Sequence, residues 1–180
     1  PNKLYYIQTG KVKIYKTSDG GKELIIGLLS AGDFFGHIPL IENTIYEEFA
    51  ETMEESTIRV IPRKEFEHLI TQHQEIALKV IKLLANNIAE KEQQLVALAY
   101  HSLRKRVADA LLTLKKKYAD KEAVGNFSIA ISREDLANIA GTATESLIRT
   151  LSDFKSEKLI EIKEGKIILL EEKKLTNLFN

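Results

Sequence analysis

The chain has 180 residues, long enough for two modest domains, and its 26 Lys and Arg balance its 26 Asp and Glu to a formal charge of zero. A hydrophobic content of 44% places it among globular proteins, and no apolar run approaches the roughly 20 residues needed to cross a bilayer, so no membrane partner is expected. The absence of cysteine excludes disulfides, thiolate zinc sites and cysteine-ligated iron–sulfur clusters, and fits an expected cytoplasmic location.

The zero charge hides an asymmetry. Residues 1–97 hold 11 basic and 14 acidic side chains, whereas residues 98–180 hold 15 and 12, so the acidic excess lies in the front half. A local basic face, not the total, decides whether phosphate is attracted.

From residue 4 to residue 61 the pattern is short strands and turns. Leu4–Ile7, Val12–Tyr15 and Leu24–Leu29 favour strand, with Gly10 and Asp19-Gly20-Gly21 as turns between them. Ser30-Ala31-Gly32-Asp33 makes a further turn before Phe34 and Phe35. Phe49–Met53 and Thr57–Ile61 add strand, and Pro62 is expected at the first position of a short helix running through Leu69. The chain begins directly on a strand, so the native protein is expected to start further upstream.

Between Gln72 and Tyr100 there is no Pro or Gly, and strong helix formers dominate. Ile81, Leu84, Ile88, Leu95 and Leu98 follow alternating steps of three and four, with Lys91 on the missing rung. That is a heptad seam of about three repeats on a helix of roughly 27 residues, about 40 Å long. The seam predicts a parallel homodimer; the competing reading is a helix packed only on its own β domain. A second helix is expected from His101 or Ser102 to Tyr118, burying Val107, Ala110, Leu111 and Leu114. The basic runs Arg104-Lys105-Arg106 and Lys115-Lys116-Lys117 read mainly as solvated faces. Residues 120–126 read as a loop and Phe127–Ile131 as a short strand.

Residues 132–170 carry most of the functional information. Ser132 with Asp135 forms a capping box at the start of one helix, whose apolar stripe is Leu136, Ile139 and Ala140. Gly141 breaks that helix, and Thr142 with Glu145 is expected to cap a second, with Leu147, Leu151 and Phe154 facing inward. A hairpin follows: Leu159–Ile162, a turn over residues 163–166, then Ile167–Leu170. Two helices joined by a tight turn and followed by a wing lay one helix into the major groove of DNA. On the second helix, the stripe opposite the core holds Glu145, Ile148, Arg149 and Ser152, at spacings of one helical side. Arginine forks onto guanine O6 and N7, a carboxylate accepts from cytosine N4, and an aliphatic group meets a thymine methyl. Thr144, Ser146 and Arg133 lie near helix starts, where phosphate is attracted.

The segments LYYIQTGKVKIY, KELIIGLLSAGDFFG, KRVADALLTL and SREDLANIAGTATESLIRTLSDFKSEKLI, taken in this order, make the chain resemble the Crp/Fnr transcriptional regulators over nearly its whole length. The resemblance implies an α+β protein: an N-terminal β-roll (a double-stranded β-helix, jelly-roll-like) over residues 1–72, a dimerisation helix over 73–99, and a winged helix-turn-helix over 100–180. It implies base reading by Glu145 and Arg149. Thr144 stands where catabolite-activator proteins carry an additional arginine, and Ile148 where the fumarate–nitrate branch often has a small polar residue. Double-stranded DNA and a second copy of the chain are the implied partners, and RNA polymerase is a candidate.

The departures fall in the effector cassette. Cyclic-nucleotide-binding members carry G-E-L-x-L followed by an Arg-Ser or Arg-Thr pair; here the stretch is GHIPLIENTIYEEFAE, with Gly36 kept, His37 in place of the Glu, and Glu47-Glu48 aligned with the pair. Residues 41–56 contain six acids and no Lys or Arg. A carboxylate where phosphate must sit is repulsive, so cyclic AMP is not expected as effector. A cyclic-nucleotide- or haem-responsive sensor module is the alternative reading, since His37 lies one position from the histidine ligand of haem-sensing members. His68 and His73 share no helix face, and no metal or cofactor is expected. The sequence carries no phosphate loop, no nucleophile–base pair and no metal-ligand cluster, so no enzymatic activity is expected.

Overall fold

The computed structural model describes residues 2–119 and 126–178. They group into two compact units, one of residues 1–16 with 26–94 and one of residues 17–25 with 95–180. The loop expected over residues 120–126 lies almost entirely outside the described residues.

The front of the chain is a β-roll. β1 (Lys3–Thr9), β2 (Lys11–Thr17), β3 (Glu23–Ser30), β4 (Phe34–Phe35), β5 (Phe49–Thr52) and β6 (Thr57–Pro62) form two three-stranded sheets, ordered β4-β1-β6 and β3-β2-β5. β1 pairs antiparallel with β6 from Lys3↔Pro62 to Thr9↔Thr57, and β2 with β5 from Val12↔Thr52 to Tyr15↔Phe49. Alternation along β1 and β2 turns Ile7, Val12 and Ile14 inward, where Ile26, Leu29, Phe35 and Ile58 close over them. A second cluster joins Leu4, Leu40 and Phe66 to Phe34, Ile61, Ile70 and Val80.

Residues after Gly36 form a short helix, α1 (His37–Glu42); Pro39 sits in its first turn, where a missing N–H costs nothing. One detail differs from expectation: Pro62 ends β6 and caps the next helix, α2 (Arg63–Gln72), with φ −60° and ψ 147°, rather than occupying its first turn. The lost donor is harmless at a strand end, and Arg63 N–H reaches the Asn2 carbonyl at 2.9 Å.

α3 (Gln74–Tyr100) is the expected 27-residue helix. α4 (Leu103–Tyr118) begins at Ser102, whose Oγ accepts from the Lys105 amide at 3.3 Å.

The second unit is a winged helix-turn-helix: β7 (Ser128–Ala130), α5 (Arg133–Ala140), α6 (Thr144–Ser156), β8 (Ile160–Lys163), β9 (Lys166–Leu169) and α7 (Glu172–Thr176). Its core is the set of apolar positions legible from periodicity: Val107, Ala110, Leu111 and Leu114, then Leu136 and Ala140, then Leu147, Leu151 and Phe154, all buried. Ile139 is only half-buried. Ser132 caps α5 as expected, its Oγ accepting from the Asp135 amide at 2.9 Å and donating to the Asp135 carboxylate at 2.8 Å. The wing turns over Glu164 and Gly165, both at positive φ (51° and 77°), between the opposed pair Lys163 and Lys166. α7 was not legible in the sequence: five residues carry too little periodicity, yet Leu175 is fully buried.

Candidate nucleic-acid interface and sensor cavity

The capping box expected between Thr142 and Glu145 does not form. The Thr142 amide joins the closure of α5, donating to the Ala137 carbonyl at 3.0 Å, and the cap of α6 falls on Ala143, which has no side-chain acceptor. No side chain therefore covers the start of α6, and Glu145 is an exposed carboxylate rather than a cap.

α6 is two-sided. Leu147, Thr150, Leu151 and Phe154 are buried, with Thr150 Oγ1 donating back to the Ser146 carbonyl at 3.0 Å. On the other side Glu145, Arg149 and Ser152 are exposed, and Ile148 keeps 51% of its surface open. Thr144 and Ser146 are half-buried at the helix start, and Arg133 is half-buried at the start of α5.

The basic run on α4 has an internal task that the sequence did not reveal. Arg104 pairs with Glu157 and lays its guanidinium over the Phe154 ring, 4.7 Å from the centroid. Lys105 donates to the Thr176 carbonyl at 2.8 Å and pairs with Asp109 at 3.1 Å. Arg106 donates to the last carbonyls of α5, and Lys115 pairs with Glu172. Lys163 and Lys166, at the wing tip, are both exposed. Like charges directly opposed across a hairpin are unfavourable alone; an anion between them would remove that cost. In the sequence they stand only as turn residues, because their pairing appears only once the register is known.

Along α3, Ile81, Ile88 and Leu95 stand at intervals of seven and are 60%, 61% and 68% exposed. Leu84 and Leu98 are half-buried. Lys91, on the seam's polar rung, has an exposed stem, but its amine donates to the Ile26 carbonyl of the roll. Burial of that amine pushes its pKa below 10.5, opposed by the Glu48 and Glu90 carboxylates.

The roll encloses a cavity of about 480 Å³, lined by Tyr5, Phe35, Tyr46 and Phe49, by aliphatic side chains and by Gly36, Glu47 and Glu48. No Lys or Arg is among its described lining residues. Glu47 pairs with Lys16 at 3.3 Å. His37 does not line the cavity; both its ring nitrogens are covered and meet no hydrogen-bond partner among the described residues. Burial lowers the His37 pKa from 6.5, with Glu48 pulling it the other way. Among the described residues no group of three or more His, Asp or Glu could hold a metal ion, and no helix is long and apolar enough to cross a membrane.

The comparisons with known proteins agree with this architecture. A cyclic nucleotide-binding domain model matches residues 1–73, and a Crp-like helix-turn-helix domain model matches residues 105–178. The cyclic AMP receptor protein of Thermus thermophilus is 29% identical over 93% of this chain and 75% of its own length. Electron transport regulator A of Shewanella oneidensis is 26% identical over 96% of this chain and 69% of its own length. Among solved structures, FixK2 from Bradyrhizobium japonicum superposes with a TM-score of 0.85 at 24% identity, covering 98% of this chain and 87% of that one, which shows a shared fold. The pairing of these two domains defines a DNA-binding transcription regulator rather than an enzyme. The chain belongs to the Crp/Fnr family.

Proposed function

We propose that this regulator acts as a homodimer joined along α3 and reads a two-fold symmetric DNA site with α6 of each protomer. The two-sidedness of α6 carries the proposal, because an outward isoleucine between a carboxylate and a guanidinium suits base edges better than water. Arg149 forks onto guanine, Glu145 accepts from cytosine, Ile148 meets a thymine methyl and Thr144 lies beside them. Arg133 and Ser146 hold phosphate near the starts of α5 and α6. Lys163 and Lys166 add wing contacts to the backbone, where charge positions the protein without specifying sequence. The open Ile81, Ile88 and Leu95 form the seam with Leu84 and Leu98, which sets the two α6 helices one DNA turn, about 34 Å, apart.

In this reading residues 1–72 sense, 73–99 join the protomers and 100–180 bind DNA. The cavity does not suit a cyclic phosphate: its acids are Glu47 and Glu48, and no lining cation answers them. Cyclic AMP is therefore not the effector, although several relatives are named for it. RNA polymerase is a candidate partner on promoter DNA. Selection of binding sites from random duplexes tests the proposal. A palindromic motif should emerge, and Arg149→Ala should cost about 1–3 kcal/mol at one base position per half-site. Binding without sequence preference would refute it.

A further inference from the structure

The cavity of the roll has a definite chemical character. Its lining includes aromatic rings: Tyr5 stacks on Phe35 with centroids 4.9 Å apart and an interplanar angle of 11°, and Tyr46 lines the cavity with them. The volume of about 480 Å³ falls inside the roughly 300–1,000 Å³ of ordinary small-molecule sites.

Charge gives the second half of the description. Glu47 is answered by Lys16, and Lys13, nearby on β2, is answered by Glu51 at 3.2 Å. Glu48 makes no ion pair with any described residue. The positive groups in its field are His37, which burial drives toward its neutral form, and Lys91, whose amine is held by the Ile26 carbonyl. Aromatic walls beside an unpaired carboxylate favour a flat ring bearing a positive charge, because ring faces and carboxylate both attract cations.

We propose that the β-roll cavity is a receptor for a small aromatic cation, whose ring lies against Tyr5, Phe35 and Tyr46 and whose ammonium is held by Glu48. The inference rests on the reading of residues 1–72 as the sensor, and it names the class of signal. An ammonium at Glu48 also repels the nearby Lys91 amine, which gives the ligand a direct route to α3.

Three indoles of one ring and different charge test it: tryptamine, indole and indole-3-acetate, titrated into the 180-residue chain. The protein has no tryptophan, so indole fluorescence reports the ligand alone. Tryptamine should bind about tenfold more tightly than indole-3-acetate, with indole between them. Glu48→Gln should bring the three affinities within about threefold of one another, and Tyr46→Ala should weaken all three. Thermal melts of both variants establish that they are folded. Equal or tighter binding of indole-3-acetate, an unchanged ranking in folded Glu48→Gln, or no saturable binding of any indole would overturn the inference. Cyclic AMP in a parallel titration separates the two readings: its saturable binding overturns the exclusion of cyclic nucleotide, whereas failure of the indoles alone leaves that exclusion and the DNA reading intact.

Discussion

Arg106 Nη1 donates to the Gly141 carbonyl at 2.8 Å and to the Ala140 carbonyl at 3.1 Å. One guanidinium on α4 thus satisfies two carbonyls at the end of α5, where the helix has no partners of its own to offer and the turn into α6 begins. A cation also sits well at the negative end of a helix. Arg106→Ala should destabilise the winged helix-turn-helix by about 1.5–3 kcal/mol, the range for hydrogen bonds from a charged donor. Denaturant unfolding measures it. A loss within about 0.5 kcal/mol, the size of an ordinary surface change, would show that water replaces the guanidinium.

Gly141 and Gly165 both have positive φ, 61° and 77°, but their surroundings differ. A Cβ on Gly141 would stand 2.5 Å from Leu98 Cδ2, whereas one on Gly165 would meet nothing within 4 Å. Gly165→Ala should therefore cost only the backbone preference, about 1–2 kcal/mol. Gly141→Ala should cost that plus about 0.5–1.5 kcal/mol for turning the half-buried Leu98 side chain aside. Equal melting temperatures for the two variants would contradict the contact.

Ile88 projects from α3 at the middle of the open heptad row. If that row joins two protomers, Ile88→Asp places two desolvated carboxylates at the seam, and sedimentation should show monomers at concentrations where the parent chain is dimeric. Lys91→Leu probes the polar rung. It removes the amine held by the Ile26 carbonyl and adds an apolar side chain to the row, so dimer affinity should rise. A parent chain that sediments as a monomer, or an Ile88→Asp chain that remains dimeric, would exclude the seam.

His37 supplies the expected pH dependence. Its folded pKa lies below 6.5 because burial disfavours the imidazolium. The unfolded state then binds the proton first, so stability is lost as pH falls from 6.5 toward the lower folded value and is regained above 6.5. His37→Phe should flatten that part of the stability curve, measured by urea unfolding between about pH 7.5 and about pH 5. An identical acid-dependent loss in the variant would assign the effect to other groups.

The long helix, the three-helix core and the wing were legible because their signals are local. Leu147, Leu151 and Phe154 announce a buried face by spacing alone, and Ser132 announces a helix start. The cap of α6 was misread because a Thr followed three residues later by Glu is also compatible with Thr142 closing the preceding helix, and only the backbone course decides between them. The basic run on α4 was opaque for a different reason. Arg104, Lys105 and Arg106 find their partners in Glu157, Thr176 and Gly141, tens of residues away, and no periodicity in the chain encodes such pairings. The aromatic lining of the cavity was equally hidden, since Tyr5, Phe35 and Tyr46 come together only when the roll folds.

The engagement of the α4 cations bears on how ionic strength governs DNA affinity. A guanidinium or ammonium already held by the protein's own carbonyls and carboxylates displaces no condensed counterion when a duplex arrives. Of the 15 Lys and Arg in residues 98–180, Arg104, Lys105, Arg106 and Lys115 are committed in this way. Added salt should weaken a DNA complex less steeply than the basic character of this half implies, and in the proposed reading base-edge contacts from α6 take a correspondingly larger share of the binding.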